Sequence, residues 1–240
     1  MKVNLVKKAK QLRKTVLEIC IQAGTGHVTS CFSCVEILVE LFYRDMKPED
    51  VFILSKGQAS PLLYAILADK GLIEEKELWK FAQKDGVLGV HLDHHIPGAV
   101  ITAGSLGHGL GIATGIAKAR KLDGKLGIVY CLMGDGECYE GSVWEAAMYA
   151  GNEKLDNLVA IVDRNGLMVS AEAEIEPICA KFFAFGWIHR IGFGQPVIRV
   201  IYNPKGKGIP FMENQVLWHG VAPQGKDAER ARRELDGVVK

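Results

Sequence analysis

Two short polar turns carry the residues best suited to chemistry. GDGE (134–137) closes the apolar run GIVYCLM (127–133), and Arg164-Asn165-Gly166 closes NLVAIVD (157–163). Asp135 and Asn165 offer hard oxygen ligands of the kind Mg²⁺ or Ca²⁺ takes, and a nearby backbone carbonyl could add a third. A cation held by three protein oxygens keeps positions free for phosphate oxygens and water. Gly134 and Gly136 let the backbone approach a diphosphate closely. Asp, Asn and Gly are also the commonest turn formers. On spacing alone, a metal–diphosphate site and a pair of ordinary strand-ending turns both stay open.

Other phosphate and metal motifs are poorer. The glycines of GHGLGIATG (107–115) miss the G-x-G-x-x-G register, and GVAPQGKD (220–227) places Asp227 where a P-loop needs a hydroxyl. His91, Asp93, His94 and His95 carry ligand types suited to a transition metal. Adjacent residues rarely point at one ion, however, so HLDHH reads as a loop. Cys31-Phe-Ser-Cys34 is a CxxC on an apolar helix face with no partner pair, which reads as core.

Elements must place the two turns, and helical and strand-like signals alternate along the chain, which favours an α/β fold. Residues 3–22 set Leu5, Val6, Ala9, Leu12, Val16, Ile19 and Cys20 at helical spacing, with Lys and Arg between them as the wet face and Gly24 as the stop. A second helix is expected over about 33–42, a short buried strand at VFIL (51–54), and a helix opened by Ser60-Pro61 as N-cap and first residue and closed by Gly71. GLGIATGIAKARKL (109–122) reads as a helix whose small residues permit close packing. The runs 127–133 and 157–163, with a helix around 142–149, form a βαβ unit. Both polar turns then lie at strand carboxyl ends, where open α/β sheets bind ligands.

Composition narrows the class. The chain has 240 residues, 29 Lys+Arg against 28 Asp+Glu, 48% hydrophobic residues and 27 glycines. The length allows a large core, and the near-neutral balance argues against a nucleic-acid binder. No apolar run approaches the ~20 residues of a membrane span, and the basic N-terminus lacks the apolar stretch of a secretory signal. Six scattered cysteines read as reduced thiols, so a cytoplasmic location is expected.

GDG, then Asn after residues 137–164, in strand–turn–helix–strand context, resembles the thiamine diphosphate motif. The resemblance covers most of the chain and narrows to the N-terminal half of transketolase. GTGHVTSCFSCVEIL (24–38), FILSKGQASPLLYAIL (52–67), TAGSLGHGLGIATGIAKA (102–119), GDGECYEGSVWEAA (134–147), IVDRNGL (161–167), KGKGIPFMEN (205–214) and WHG (218–220) follow that family's landmarks in order. The resemblance implies a thiamine-diphosphate-binding fold, with a mostly parallel sheet flanked by helices on both faces. Residues 1–240 would form one diphosphate-binding domain with a helical tail from about 226. It implies Mg²⁺ (or Ca²⁺) on Asp135, the Asn165 side chain and the Leu167 carbonyl. Gly134 belongs to the same turn, and Gly136 and Glu137 would contribute backbone contacts to the phosphates. Gly104, Ser105 and Leu106 would line the cofactor rings, and His27 and His219 would sit around the diphosphate and the substrate's reactive end. His91 would join them as a catalytic histidine, although Gly-His-Pro is here replaced by Gly-Val-His-Leu. Glu140 matches an acidic position near a subunit interface.

Two positions depart from the pattern. Gly57-Gln58-Ala59 stands where the family has Gly-His-Ala, and Gln can hydrogen-bond but cannot take up a proton. Between AFGWIHRI (184–191) and VIRVIY only Gly192–Pro196 remain, too few for a parallel crossover. Those two runs therefore either form a hairpin, or one of them is not a sheet strand. The implied function is the N-terminal subunit of a split transketolase-like enzyme, moving a two-carbon ketol unit between sugar phosphates. Its partner would be a C-terminal-half subunit carrying the pyrimidine-binding domain, in an α2β2 assembly that includes self-association. Another thiamine diphosphate enzyme subunit, of the 2-oxoacid decarboxylase or dehydrogenase type, and a non-catalytic cofactor-binding scaffold are the alternatives.

Overall fold

The computed structural model describes residues 3–169 and 171–237. In chain order its main elements are α1 (Leu5–Ala23), α2 (Val28–Phe32), α3 (Val35–Glu40), β1 (Val51–Leu54), α4 (Ser60–Asp69), α5 (Glu75–Leu78), α6 (His108–Leu122), β2 (Val129–Gly134), α7 (Gly141–Asn152), β3 (Leu158–Arg164), α8 (Ile178–Ala184), β4 (Val197–Tyr202) and α9 (Gly225–Asp236). They gather into two compact units. A helical unit comprises Met1–Met46, Gln58–Thr102 and Asn203–Lys240, and a sheet unit comprises Lys47–Gly57 and Ala103–Tyr202.

In the helical unit, the Asn4 side chain accepts from Lys7 N–H at 3.0 Å to cap α1, and Gly24 ends it at φ +69°. The apolar stripe of α1 buries Leu12, Val16, Ile19 and Cys20, and the helix packs on α3, α4 and α9. Two residues depart from the expected faces. Val6 is 81% exposed, and Arg13 is buried with both terminal guanidinium nitrogens on the Glu36 carboxylate at 2.7 and 2.8 Å. Burial alone would raise that carboxyl, but Arg13 outweighs it and holds Glu36 below the usual carboxylate range.

The helix expected over about 33–42 forms as α3, starting two residues later, and a break at Ser33-Cys34 separates it from α2. Ser33 Oγ donates to the Ser30 carbonyl, and Cys34 Sγ reaches the Ser30 and Cys31 carbonyls. Side chains that take up helix carbonyls compete with the backbone ladder, and here they break it. The stretch Leu41–Asp45 then winds as a π-helical turn. Ser60 is the first residue of α4, with Ala59 at the cap, and its hydroxyl donates instead to the Val90 carbonyl at 2.7 Å.

The sheet unit is an α/β structure. Its strands run in the order β1-β2-β3-β4, all parallel, with Gly134 paired to Asp163 at the end of the β2–β3 register. β2 and β3 are buried nearly throughout, as parallel strands covered on both faces require. The connection from β2 to β3 contains α7, and α6 packs on β2 and β3. The ambiguity at 184–191 resolves in one direction. VIRVIY is β4, and the preceding run contributes a single parallel bridge, Ile188 with Val197, in place of a strand. Trp187 holds that run in the core, with its indole N–H on the Ala147 carbonyl at 2.8 Å. The crossover from β3 to β4 uses residues 165–196, including α8, which is ample chain for a parallel return.

Candidate active site

The β2–β3 register sets the turns that follow these strands side by side, and Asp135 joins them. Its Oδ2 accepts from Gly166 N–H at 2.7 Å and from Arg164 Nη1 at 2.9 Å, and its Oδ1 accepts from Gly136 N–H at 2.9 Å. The residue is only 1% exposed, so it is a structural tie as well as a candidate ligand. Arg164 supplies the counter-charge and also donates to Glu176 at 3.0 Å. Asn165 Oδ1 accepts from Leu167 N–H at 3.2 Å, which turns the chain back through residues 165–167.

A carboxylate, a side-chain amide oxygen and a backbone carbonyl within two linked turns form a hard-oxygen donor set, which fits Mg²⁺ or Ca²⁺. The guanidinium already on Asp135 has a second carboxylate to rest on, so a cation reaching Asp135 would leave Arg164 paired with Glu176. The residues present therefore suit the metal.

Glu137 plays a part that its sequence position does not suggest. Its buried carboxylate accepts from the Ser55 hydroxyl and from the Gly107 and Gly134 N–H groups, the last two at 2.8 and 3.2 Å. Burial pushes its pKa up, against the lowering effect of those three donors. The carboxylate thus links the end of β1, the GDG turn and the start of α6. Gly104 and Ser105, in the GSLG turn before α6, are exposed, and Leu106 is half-buried. A Cβ on Gly57 would meet the Ala103 carbonyl carbon and the Gly104 nitrogen at 2.8 Å, so the chain after β1 lies directly against this turn. Lys56 and Asp163 form a fully buried ion pair in the same unit. Neither Ser55, Lys56 nor Arg164 stood out in the sequence, where the available signal was only their place at strand ends.

The helical unit gathers the three histidines. His27, at the start of α2, has its ring centroid 5.7 Å from that of His91 and 5.4 Å from that of His219. The buried Lys205 places its Nζ 2.8 Å from His219 Nδ1. A lysine ammonium can only donate, so with Lys205 charged Nδ1 accepts and a neutral His219 carries its proton on Nε2. The Tyr64 hydroxyl donates to the His91 carbonyl at 3.0 Å and fixes that segment. Gln58 is half-buried in this unit. Glu140 is exposed at the start of α7.

The profile described as "Transketolase, thiamine diphosphate binding domain" matches residues 6–195. The chain belongs to the transketolase family. It is 35% identical to a Phocaeicola vulgatus protein named as a subunit of apulose-4-phosphate transketolase, over 93% of this chain and 90% of that one. The protein of the same name from Actinobacillus succinogenes is likewise 35% identical, covering 97% and 96% of the two chains. Rat transketolase is 38% identical over 96% of this chain, which spans only 42% of the rat protein. Among solved structures, transketolase from Campylobacter jejuni superposes with a TM-score of 0.88 at 26% identity, covering 98% of this chain and 43% of its own. The Leishmania mexicana enzyme, at 22% identity and a TM-score of 0.89, shares the fold. The chain is thus the N-terminal, thiamine-diphosphate-binding section of a transketolase-type transferase, and it matches the two bacterial subunits over nearly their whole length.

Proposed function

We propose that this chain is the cofactor-binding subunit of a split transketolase that works on sugar phosphates in the cytoplasm. The observation that carries the site assignment is the Asp135 tie between the turns after β2 and β3, in a chain of a thiamine diphosphate family. Asp135, Asn165 Oδ1 and the Leu167 carbonyl would hold Mg²⁺ (or Ca²⁺) against the diphosphate. Gly134, Gly136 and Glu137 would give the phosphates close backbone, and Gly104, Ser105 and Leu106 would contact the rings. When bound, thiamine diphosphate supplies the carbanion-stabilising centre through which a two-carbon ketol unit is transferred. His27, His91 and His219 would exchange protons with substrate hydroxyl and carbonyl groups, and Lys205, by donating to His219 Nδ1, would leave Nε2 as the nitrogen that gives and recovers the proton. The two bacterial relatives are named for apulose 4-phosphate, a sugar phosphate, which supports that substrate class.

Their naming as subunits supports a second, complementary chain, which we infer carries the C-terminal half in an α2β2 assembly. The exposed face of α6 and α7 suits close contact with another chain. Gly111 and Gly115 open onto unfilled space there, and Ile112 and Tyr149 are 40% and 48% exposed.

The site is tested by calorimetric titration of thiamine diphosphate with Mg²⁺ into the intact chain and its Asp135→Asn variant. Asn keeps the size and one acceptor oxygen but loses the charge. The expected result is cofactor affinity at least about tenfold weaker, in line with the large effects of perturbing metal shells, with an unchanged circular dichroism spectrum. Equal affinities in the two proteins would overturn the assignment.

A further inference from the structure

The segment Asp93-His94-His95 lies outside the cofactor turns, and its geometry differs from the open loop its sequence suggests. A tight turn, closed by Ile96 N–H on the Asp93 carbonyl at 3.1 Å, brings the three side chains together. His95 Nδ1 lies 2.6 Å from Asp93 Oδ1, and His94 Nδ1 lies 3.5 Å from the same oxygen. One ligand atom from each residue falls within 4.8 Å of the other two. The His94 and His95 rings stack with centroids 3.9 Å apart.

We propose that Asp93, His94 and His95 form a binding site for a divalent transition metal of the zinc class, separate from any cation at Asp135. Two imidazoles and one carboxylate match the ligand preference of Zn²⁺, and the exposed side leaves room for water as the fourth ligand. Zinc bonds of about 2.0–2.1 Å in tetrahedral geometry place ligand atoms about 3.3 Å apart. The Asp93–His94 spacing is already close to that, and the Asp93–His95 pair need open by less than an ångström. No pair of the three lies farther apart than 4.8 Å, so the widest need close by about 1.5 Å at most.

The turn is built to hold these donors. Leu92 and Ile96, on either side, are buried at 2% and 5% exposure. His94 N–H donates to Thr102 Oγ1 at 3.1 Å, and the same hydroxyl lies 2.9 Å from His94 Nδ1, where it would move to the second shell of the metal. His95 N–H donates to Asp93 Oδ1 at 2.9 Å. The expectation that neighbouring residues diverge fails here because the turn folds the tripeptide onto itself.

The test is calorimetric titration of Zn²⁺ alone into the intact chain, its His94→Ala/His95→Ala variant and its Asp93→Asn variant. One equivalent is expected to bind the unaltered chain. Loss of ligands should weaken binding by at least about 10–100-fold, the range seen when second-shell partners alone are removed. These side chains are exposed, so thermal melts without metal should coincide. Three results would overturn the proposal: no binding to the unaltered chain, equal binding to both variants, or a loss seen in a His219→Ala control and not in the pair.

Discussion

Arg164 governs how Asp135 can be used. A carboxylate that is 1% exposed needs a counter-charge, and the guanidinium supplies it at 2.9 Å while the N–H groups of Gly136 and Gly166 complete the shell. Breaking one side of a buried pair typically costs about 3–5 kcal/mol, because the remaining charge is left uncompensated. Arg164 is itself partly solvated, so the expected loss for Arg164→Gln is at the low end of that range. A divalent cation would restore the missing charge, and binding to the folded state alone raises stability. The melting temperature of Arg164→Gln should therefore rise with added Mg²⁺ by more than that of the unaltered chain. Equal responses in thermal denaturation would mean that Asp135 does not meet the cation. Spacing alone identified Asp135 and Asn165 as candidates. The pairing with Arg164 was not legible, because a strand-ending arginine reads the same whether its side chain turns to solvent or back across the neighbouring turn.

At the scale of elements, most of the pattern was legible and its interruptions were not. VFIL, the two apolar runs and the helix between them are where the hydrophobic sequence places them, since length and flanking turns define buried parallel strands. The break at Ser33-Cys34 depends on hydroxyl and thiol bonds to helix carbonyls, which leave no periodic signal. The same holds for the link between β1, the GDG turn and α6, which runs through the Glu137 carboxylate. That link requires Gly107. Its φ is +87°, and an added Cβ would meet Glu140 Cβ at 2.5 Å and Ser142 Oγ at 2.7 Å. Left-handed backbone on a non-glycine residue costs about 1–3 kcal/mol, and the contacts with Glu140 add to it. Gly107→Ala should therefore lower stability by at least that amount in urea denaturation, and hydrogen exchange should quicken first in the turn before α6. A variant as stable as the parent would show that the turn adapts freely.

Over the whole molecule, the landmarks in order identified the family, because several ordered segments are far more specific than one motif. What each carboxylate does in the fold required the structure, and it bears on whether this chain can act alone. The resemblance to transketolase implies that ketol transfer needs a glutamate beside the cofactor's aminopyrimidine ring, supplied by the pyrimidine-binding domain. In the sheet unit, the two carboxylates of the GDGE turn are already engaged. Asp135 ties two turns and pairs with Arg164, and Glu137 accepts from Ser55, Gly107 and Gly134. Moving Glu137 to serve a cofactor ring would leave two backbone N–H groups and a hydroxyl without their acceptor, and each buried group so stranded costs about 1–3 kcal/mol. A carboxylate arriving on a second subunit carries no such cost. The purified chain should thus bind thiamine diphosphate with Mg²⁺ yet give no ketol transfer with sugar phosphates, and turnover should appear when a C-terminal-half transketolase subunit is added. Sustained turnover by the chain alone would refute the divided-enzyme reading, and a Glu137→Gln variant that abolished it would place the activating carboxylate in the GDGE turn.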